Sequence, residues 1–117
     1  GEFYLKQKKL TEAVASYTFI QNQYPKSSIS NDAMLREALI RLKLNQISEA
    51  FELAEKLTHT KLAPTGLALL GEINEKYYDN MIEALDYYLK LLEKYPDSYL
   101  AEPIRLHVRS LNDQIKS

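Results

Sequence analysis

Apolar residues recur along this chain at helical spacing, and one amphipathic run returns as a unit. The stretch Glu83–Ser98 reads EALDYYLKLLEKYPDS: alanine in second place, tyrosine four residues after it, leucine seven after it, and a proline that closes the run. Aligned on the Glu-Ala pair, the chain gives Glu12-Ala13, Glu49-Ala50 and Glu83-Ala84, 37 and 34 residues apart. The +4 column holds Tyr17, Ala54 and Tyr88, and the +7 column Ile20, Leu57 and Leu91. Tyr24-Pro25 and Tyr95-Pro96 close the outer copies, while the middle copy has its proline two residues later, at Pro64. Positions 0, +4 and +7 lie on one face of a helix, so each copy carries a packing stripe. The alanine admits a close helix crossing, the larger residues fill the gap beyond it, and proline stops the helix.

A second helix precedes each of these. In Asn31–Leu44 the apolar residues Ala33, Met34, Leu35, Ala38, Leu39, Ile40, Leu42 and Leu44 fall on two arcs, with Arg36, Glu37, Arg41 and Lys43 largely between them. A helix apolar on two sides is packed between neighbours. The i,i+4 pair Glu37–Arg41 is expected to contribute a few tenths of a kcal/mol, about 0.2–0.5. Turns are expected at Lys8-Lys9, Asn45-Gln46 and Asp79-Asn80, where Asn and Asp tolerate left-handed backbone. The pattern predicts an all-α chain of seven segments, about 1–8, 10–24, 30–44, 47–60, 64–78, 80–95 and 100–115. Pro103 is tolerable only in a first turn, which starts the last helix near Ala101.

These columns resemble the tetratricopeptide repeat, whose 34-residue unit runs W-x-x-L-G-x-x-Y, then A-x-x-x-F and a closing proline. Gly1, Tyr4, Ala13, Tyr17 and Pro25 fall on its columns in the first unit, and Leu70-Gly71, Ala84, Tyr88 and Pro96 in the third. The middle unit has Ala38 for the glycine, Ala54 for the aromatic, and the late Pro64. The resemblance implies a right-handed superhelix, an α-solenoid of about three hairpins plus a C-terminal helix. Its repeats would span about 1–28, 29–63 and 64–97, with 98–117 as a capping helix or the first helix of a further repeat. It also implies that the first helix is cut short, since about seven residues would precede Gly1 in a full unit, so the chain is read as a piece of a longer protein, or its first residues as partly vector-derived. The junctions YPKSS and YPDSY are similar to the Tyr-Pro-x-Ser repeats of bacterial outer-membrane assembly lipoproteins and Tol–Pal-associated periplasmic proteins.

Composition narrows the function classes. The formal net charge is -1, and the densest basic run, Lys6-Gln7-Lys8-Lys9, holds three lysines, so nucleic acid is not an expected partner. No apolar run approaches the roughly 18 residues that would insert in a membrane. The absence of cysteine removes disulfides, Cys-based zinc sites and thiol nucleophiles. His59 and His107 each lack a second histidine at ligand spacing, so no metal is expected, and no phosphate-cradling or nucleophile-elbow motif is present, so no cofactor is. The carboxylates Glu72 and Glu75, and Asp79 with Glu83, read as a solvated acidic face. Tyr17, Tyr24, Tyr88 and Tyr95 read as core or junction residues. Tyr77, Tyr78 and Tyr87 are candidates for surface contacts.

The expectation is a non-catalytic protein–protein interaction module, a scaffold or adaptor that holds a peptide or partner helix in a concave groove. The resemblance places that groove on Asp32, Leu35, Leu39 and Lys43 of the middle unit and on Ala68, Glu72, Glu75 and Lys76 of the third. Leu35, Leu39, Ala68 and Glu72 stand where a carboxylate clamp would place Lys, Arg or Asn, so no clamp for a free peptide C-terminus is expected. The alternatives are a spacer, self-association through the shortened first helix, or a regulatory domain of a protein whose activity lies elsewhere.

Overall fold

The computed structural model describes residues 2–116 as six α-helices: α1 Glu2–Gln23, α2 Ser28–Lys43, α3 Ile47–Leu57, α4 Ala63–Lys76, α5 Met81–Lys94 and α6 Ala101–Lys116. Among the described residues there is no strand. Each helix packs chiefly on its neighbours in sequence, α1 on α2, α2 on α3, and so on to α6. The radius of gyration is 15.4 Å, above the about 13 Å expected of a compact domain of this length. The chain is therefore a serial stack of helices, in the manner of a helical repeat, and not a closed bundle.

The repeated columns form its core. Ala50 and Ala84 are fully buried, as are Leu57 and Leu91, and Tyr88 is almost so. Ala13, Tyr17 and Ile20 of the first copy are half-buried. Ala38, Ala50, Leu53, Ala54, Leu69, Leu70 and Ile73 make the central cluster of α2, α3 and α4, and Ala84, Tyr88, Val108 and Leu111 join α5 to α6. Gly71 lies flat against the Tyr88 ring, where an added Cβ would sit 2.3 Å from Cε1. The middle unit solves the same crossing with Ala38 and Ala54, both fully buried.

The two inner hairpin turns follow the sequence. Asn45 has φ 62° and Asp79 φ 50°, the left-handed backbone that Asn and Asp accept most readily among residues with a side chain. The expected turn at Lys8-Lys9 is absent, because α1 runs unbroken through it. Lysine is a good helix former with no capacity to stabilise a left-handed turn, and no Gly, Asn, Asp or Pro lies between Glu2 and Gln21. The first unit is thus one 22-residue helix with no hairpin in the described residues. Tyr4 is 67% exposed there, and the glycine column assigned to Gly1 lies outside the described residues.

Helix α3 ends at Leu57, three residues earlier than expected. Thr58 and Thr60 donate their hydroxyls to the carbonyls of Glu55 and Leu57, at 2.5 and 2.7 Å, and Thr60 Oγ1 accepts the Leu62 N–H at 3.0 Å. Those bonds offer the backbone an alternative to another helical turn. Pro103 falls in the first turn of α6, which begins at Ala101.

The two Tyr-Pro-x-Ser junctions share one construction. Ser27 and Ser98 donate their N–H to the carbonyls of Tyr24 and Tyr95, at 3.2 and 3.1 Å. Their hydroxyl oxygens then accept backbone N–H groups of the following segment, from Ser30 at 3.0 Å and Leu100 at 3.2 Å. Each proline follows the end of a helix, and Ser27 caps α2 whereas Ser98 closes a turn just ahead of α6.

Candidate binding face

The residues expected to line a groove come from α2 and α4. On α2, Asp32, Leu39 and Lys43 are exposed, and Leu35 is half-buried against the central cluster. Arg36 Nε donates to Asp32 Oδ2 at 2.9 Å, an i,i+4 pair that stays in solvent. Asp32 is the main cause of the raised Arg36 pKa. On α4, Lys76 is exposed and pairs with Glu72 at 3.0 Å, and that carboxylate raises the pKa of the Lys76 ammonium. Ala68 is half-buried one turn before Glu72. The exposed apolar member of the set is therefore Leu39, 43% exposed, among exposed side chains of both signs, Asp32, Lys43 and Lys76.

Glu75 has a different setting from its neighbours. Its side chain is 16% exposed, and its Oε1 accepts the Tyr88 hydroxyl at 2.9 Å and His107 Nε2 at 2.7 Å. A carboxylate only accepts, so His107 carries its proton on Nε2 in this contact. The Tyr88 and His107 rings meet edge to face at 5.4 Å. Burial, then the bond to Glu75, raises the Tyr88 phenol pKa. This group ties α4 to α5 and α6, so Glu75 is not the solvated acid the sequence suggested.

A more deeply buried carboxylate joins α1 to α2. Glu37 Oε1 accepts from Gln21 Nε2 at 2.8 Å and Thr18 Oγ1 at 3.1 Å, while Oε2 accepts from Arg41 Nε at 2.5 Å. Arg41 Nη1 also reaches Gln46 Oε1 at 2.7 Å, linking the network to the start of α3. Sequence spacing showed the Glu37–Arg41 pair but not its burial, because its partners Thr18 and Gln21 come from a neighbouring helix. A few tenths of a kcal/mol undervalues a buried carboxylate with three donors.

Lys43 opens onto a feature that periodicity did not reveal. An open pocket of about 670 Å³ is lined by Phe3, Lys6, Gln7, Leu10, Lys43, Leu44 and Asn45. It exists because α1 continues past Lys8-Lys9 and carries its first turns alongside the end of α2. A break at that point would have led the chain elsewhere.

The tyrosines divide by packing. Phe51 meets Tyr78 at 5.8 Å and Tyr87 at 6.5 Å, so those two rings bear on α3; Tyr87 is half-buried there, while Tyr78, like Tyr77, stays exposed. Tyr24, expected in the core or junction, is exposed because only its backbone carbonyl takes part in the Ser27 turn. Among the described residues no group of three or more His, Cys, Asp or Glu could hold a metal ion. Among the described residues no helix is long and apolar enough to cross a membrane.

The class of molecule is an all-α helical repeat. Residues 68–98, which hold α4 from Ala68 onward, α5 and the following Tyr-Pro junction, match the tetratricopeptide repeat family model. No curated protein and no solved structure matches the chain. A repeat of this family points to protein–protein interaction as the broad class of activity.

Proposed function

We propose that the chain is a non-catalytic interaction module that holds an extended peptide or partner helix against the face of α2 and α4. The observation that carries this reading is Leu39, an exposed leucine in mid-helix, flanked on α2 by the charged Asp32, Arg36 and Lys43. A rim of both signs around an apolar centre suits a partner with an apolar anchor and mixed charge. Asp32, Leu39, Lys43, Ala68, Glu72 and Lys76 are the contact set, with Leu35 as its floor. Glu75 contributes by fixing α4 against α5 and α6. Leu35, Leu39, Ala68 and Glu72 supply no cationic clamp, so affinity is expected to survive amidation of a bound peptide's C-terminus.

The likeness of the junctions to bacterial envelope proteins has no support from the family match, which is to the repeat alone. It adds little to the functional reading. Affinity capture with the immobilised chain, in parallel with Leu39→Glu, tests the proposal. A partner retained by the wild type and lost from Leu39→Glu supports it. Equal retention on both places binding elsewhere.

A further inference from the structure

Helix α1 is the longest of the six and has no buried residue. Its half-buried positions Leu10, Ala13, Val14, Tyr17, Ile20 and Gln21 form the side that packs on α2. At 3.6 residues per turn, Tyr4, Leu5, Ala15 and Phe19 fall within roughly 100° on the opposite side. All four are exposed, Phe19 by 62%.

The other units show what such a position normally carries. Aligned on the Glu-Ala pair, the columns of Ala15 and Phe19 hold Glu52 and Lys56 in α3, and Asp86 and Lys90 in α5. These four are exposed, and Asp86 pairs with Lys90 at 3.2 Å. Both α3 and α5 have a helix packed before and after them and still present these columns to water. A further helix stacked ahead of α1 in the same manner would leave Ala15 and Phe19 open. Whatever covers them would therefore lie outside the stack.

We propose that this face of α1 pairs with the same face of a second copy, antiparallel, about a two-fold axis beside Thr11 and Glu12. The stripe is self-complementary under that operation. It reads Tyr4, Lys8, Thr11-Glu12, Ala15, Phe19, so Tyr4 meets Phe19, Lys8 meets Ala15, and Thr11 meets Glu12. The small Ala15 leaves room for the Lys8 stem, and Glu12 stands within one turn of the partner's Lys8 and Lys9. The same operation places both aromatic ends on one another and brings the two Glu12 side chains together beside the axis, each with the other copy's Lys8 within a turn to offset their repulsion. This pairing is independent of the peptide-binding reading, since it leaves the α2–α4 face free.

The contact spans about 22 Å of one helix pair, at the small end of specific interfaces, so association is expected at about 10–100 µM. Sedimentation velocity over that range tests it on the wild type and on Ala15→Glu/Phe19→Lys, which installs the charged pair of α3 and α5. The wild type is expected to dimerise, and the variant to remain monomeric with unchanged helical circular dichroism. Because the chain has no cysteine, Glu12→Cys should form a disulfide dimer on mild oxidation. Glu49→Cys, in the same column of α3, should not. A wild type that stays monomeric, a variant that dimerises equally, or equal crosslinking of the two cysteine variants would each overturn the proposal.

Discussion

Replacing Gly71 by alanine adds one methyl group at the tightest contact of the third unit. The added Cβ would lie 2.3, 2.7 and 2.8 Å from Cε1, Cδ1 and Cζ of Tyr88. That ring has little freedom to withdraw, being buried, bonded through its hydroxyl to Glu75 and set edge-on to His107. Overpacking of this kind costs about 1–3 kcal/mol, and the better helix propensity of alanine returns up to about 1 kcal/mol. The net expectation is a loss of about 1–2 kcal/mol, or about 5 °C in Tm for a chain of this size. Urea unfolding followed by circular dichroism measures it directly. The sharper measurement is a cycle with Tyr88→Ala, which alone should cost about 3–5 kcal/mol. In that background Gly71→Ala should become neutral or stabilising, reproducing the Ala38 and Ala54 arrangement of the middle unit. If Gly71→Ala destabilises both backgrounds equally, steric conflict with Tyr88 is not the reason for the glycine.

Glu37→Ala removes the acceptor shared by Thr18, Gln21 and Arg41 and should cost about 2–3 kcal/mol; Asp32→Ala, which opens an exposed pair, should stay within about 0.5 kcal/mol. Equal effects in urea melts would contradict the difference in burial. Ala84→Leu should overpack the fully buried column of α5 and cost about 1–3 kcal/mol, and an unchanged thermal midpoint would show that no helix crosses closely there. Burial, then for Tyr88 the bond to Glu75, raises the phenol pKa of both Tyr87 and Tyr88 in the folded chain. The folded state thus holds these protons more tightly than the unfolded one. That stabilisation is intact below the unfolded value of about 10 and is lost as pH rises towards the folded values. Urea midpoints between about pH 8 and 11 should fall at the alkaline end, and less steeply for Tyr88→Phe; identical slopes would remove Tyr88 from the account.

What was legible in the sequence follows from periodicity and from special backbone positions. Ala50, Ala84, Leu57 and Leu91 could be placed in the core because one face of a helix repeats in register. Asn45 and Asp79 marked turns because their side chains tolerate a backbone that lysine resists. The same rule, applied to Lys8-Lys9, would have kept α1 whole. Spacing to the neighbouring repeats favoured a turn there, and local propensity decided otherwise. Glu37 and Glu75 were harder to read. Each looks like a solvated acid within its own helix, and its burial comes from partners supplied by other helices, Thr18 and Gln21 for one, Tyr88 and His107 for the other. The face of α2 and α4 was named from family columns, and its residues reach solvent to differing degrees because some of the same columns hold the helices together.

The serial packing of the six helices has a consequence for how damage spreads. Since no helix relies heavily on one distant along the chain, cohesion is a sum of adjoining couplings. A lesion at the α5–α6 seam should loosen the C-terminal end while α1 and α2 keep their hydrogen-exchange protection. The molecule can come apart from either tip inward, much as a zip opens, with α3 and α4 the last pair to let go.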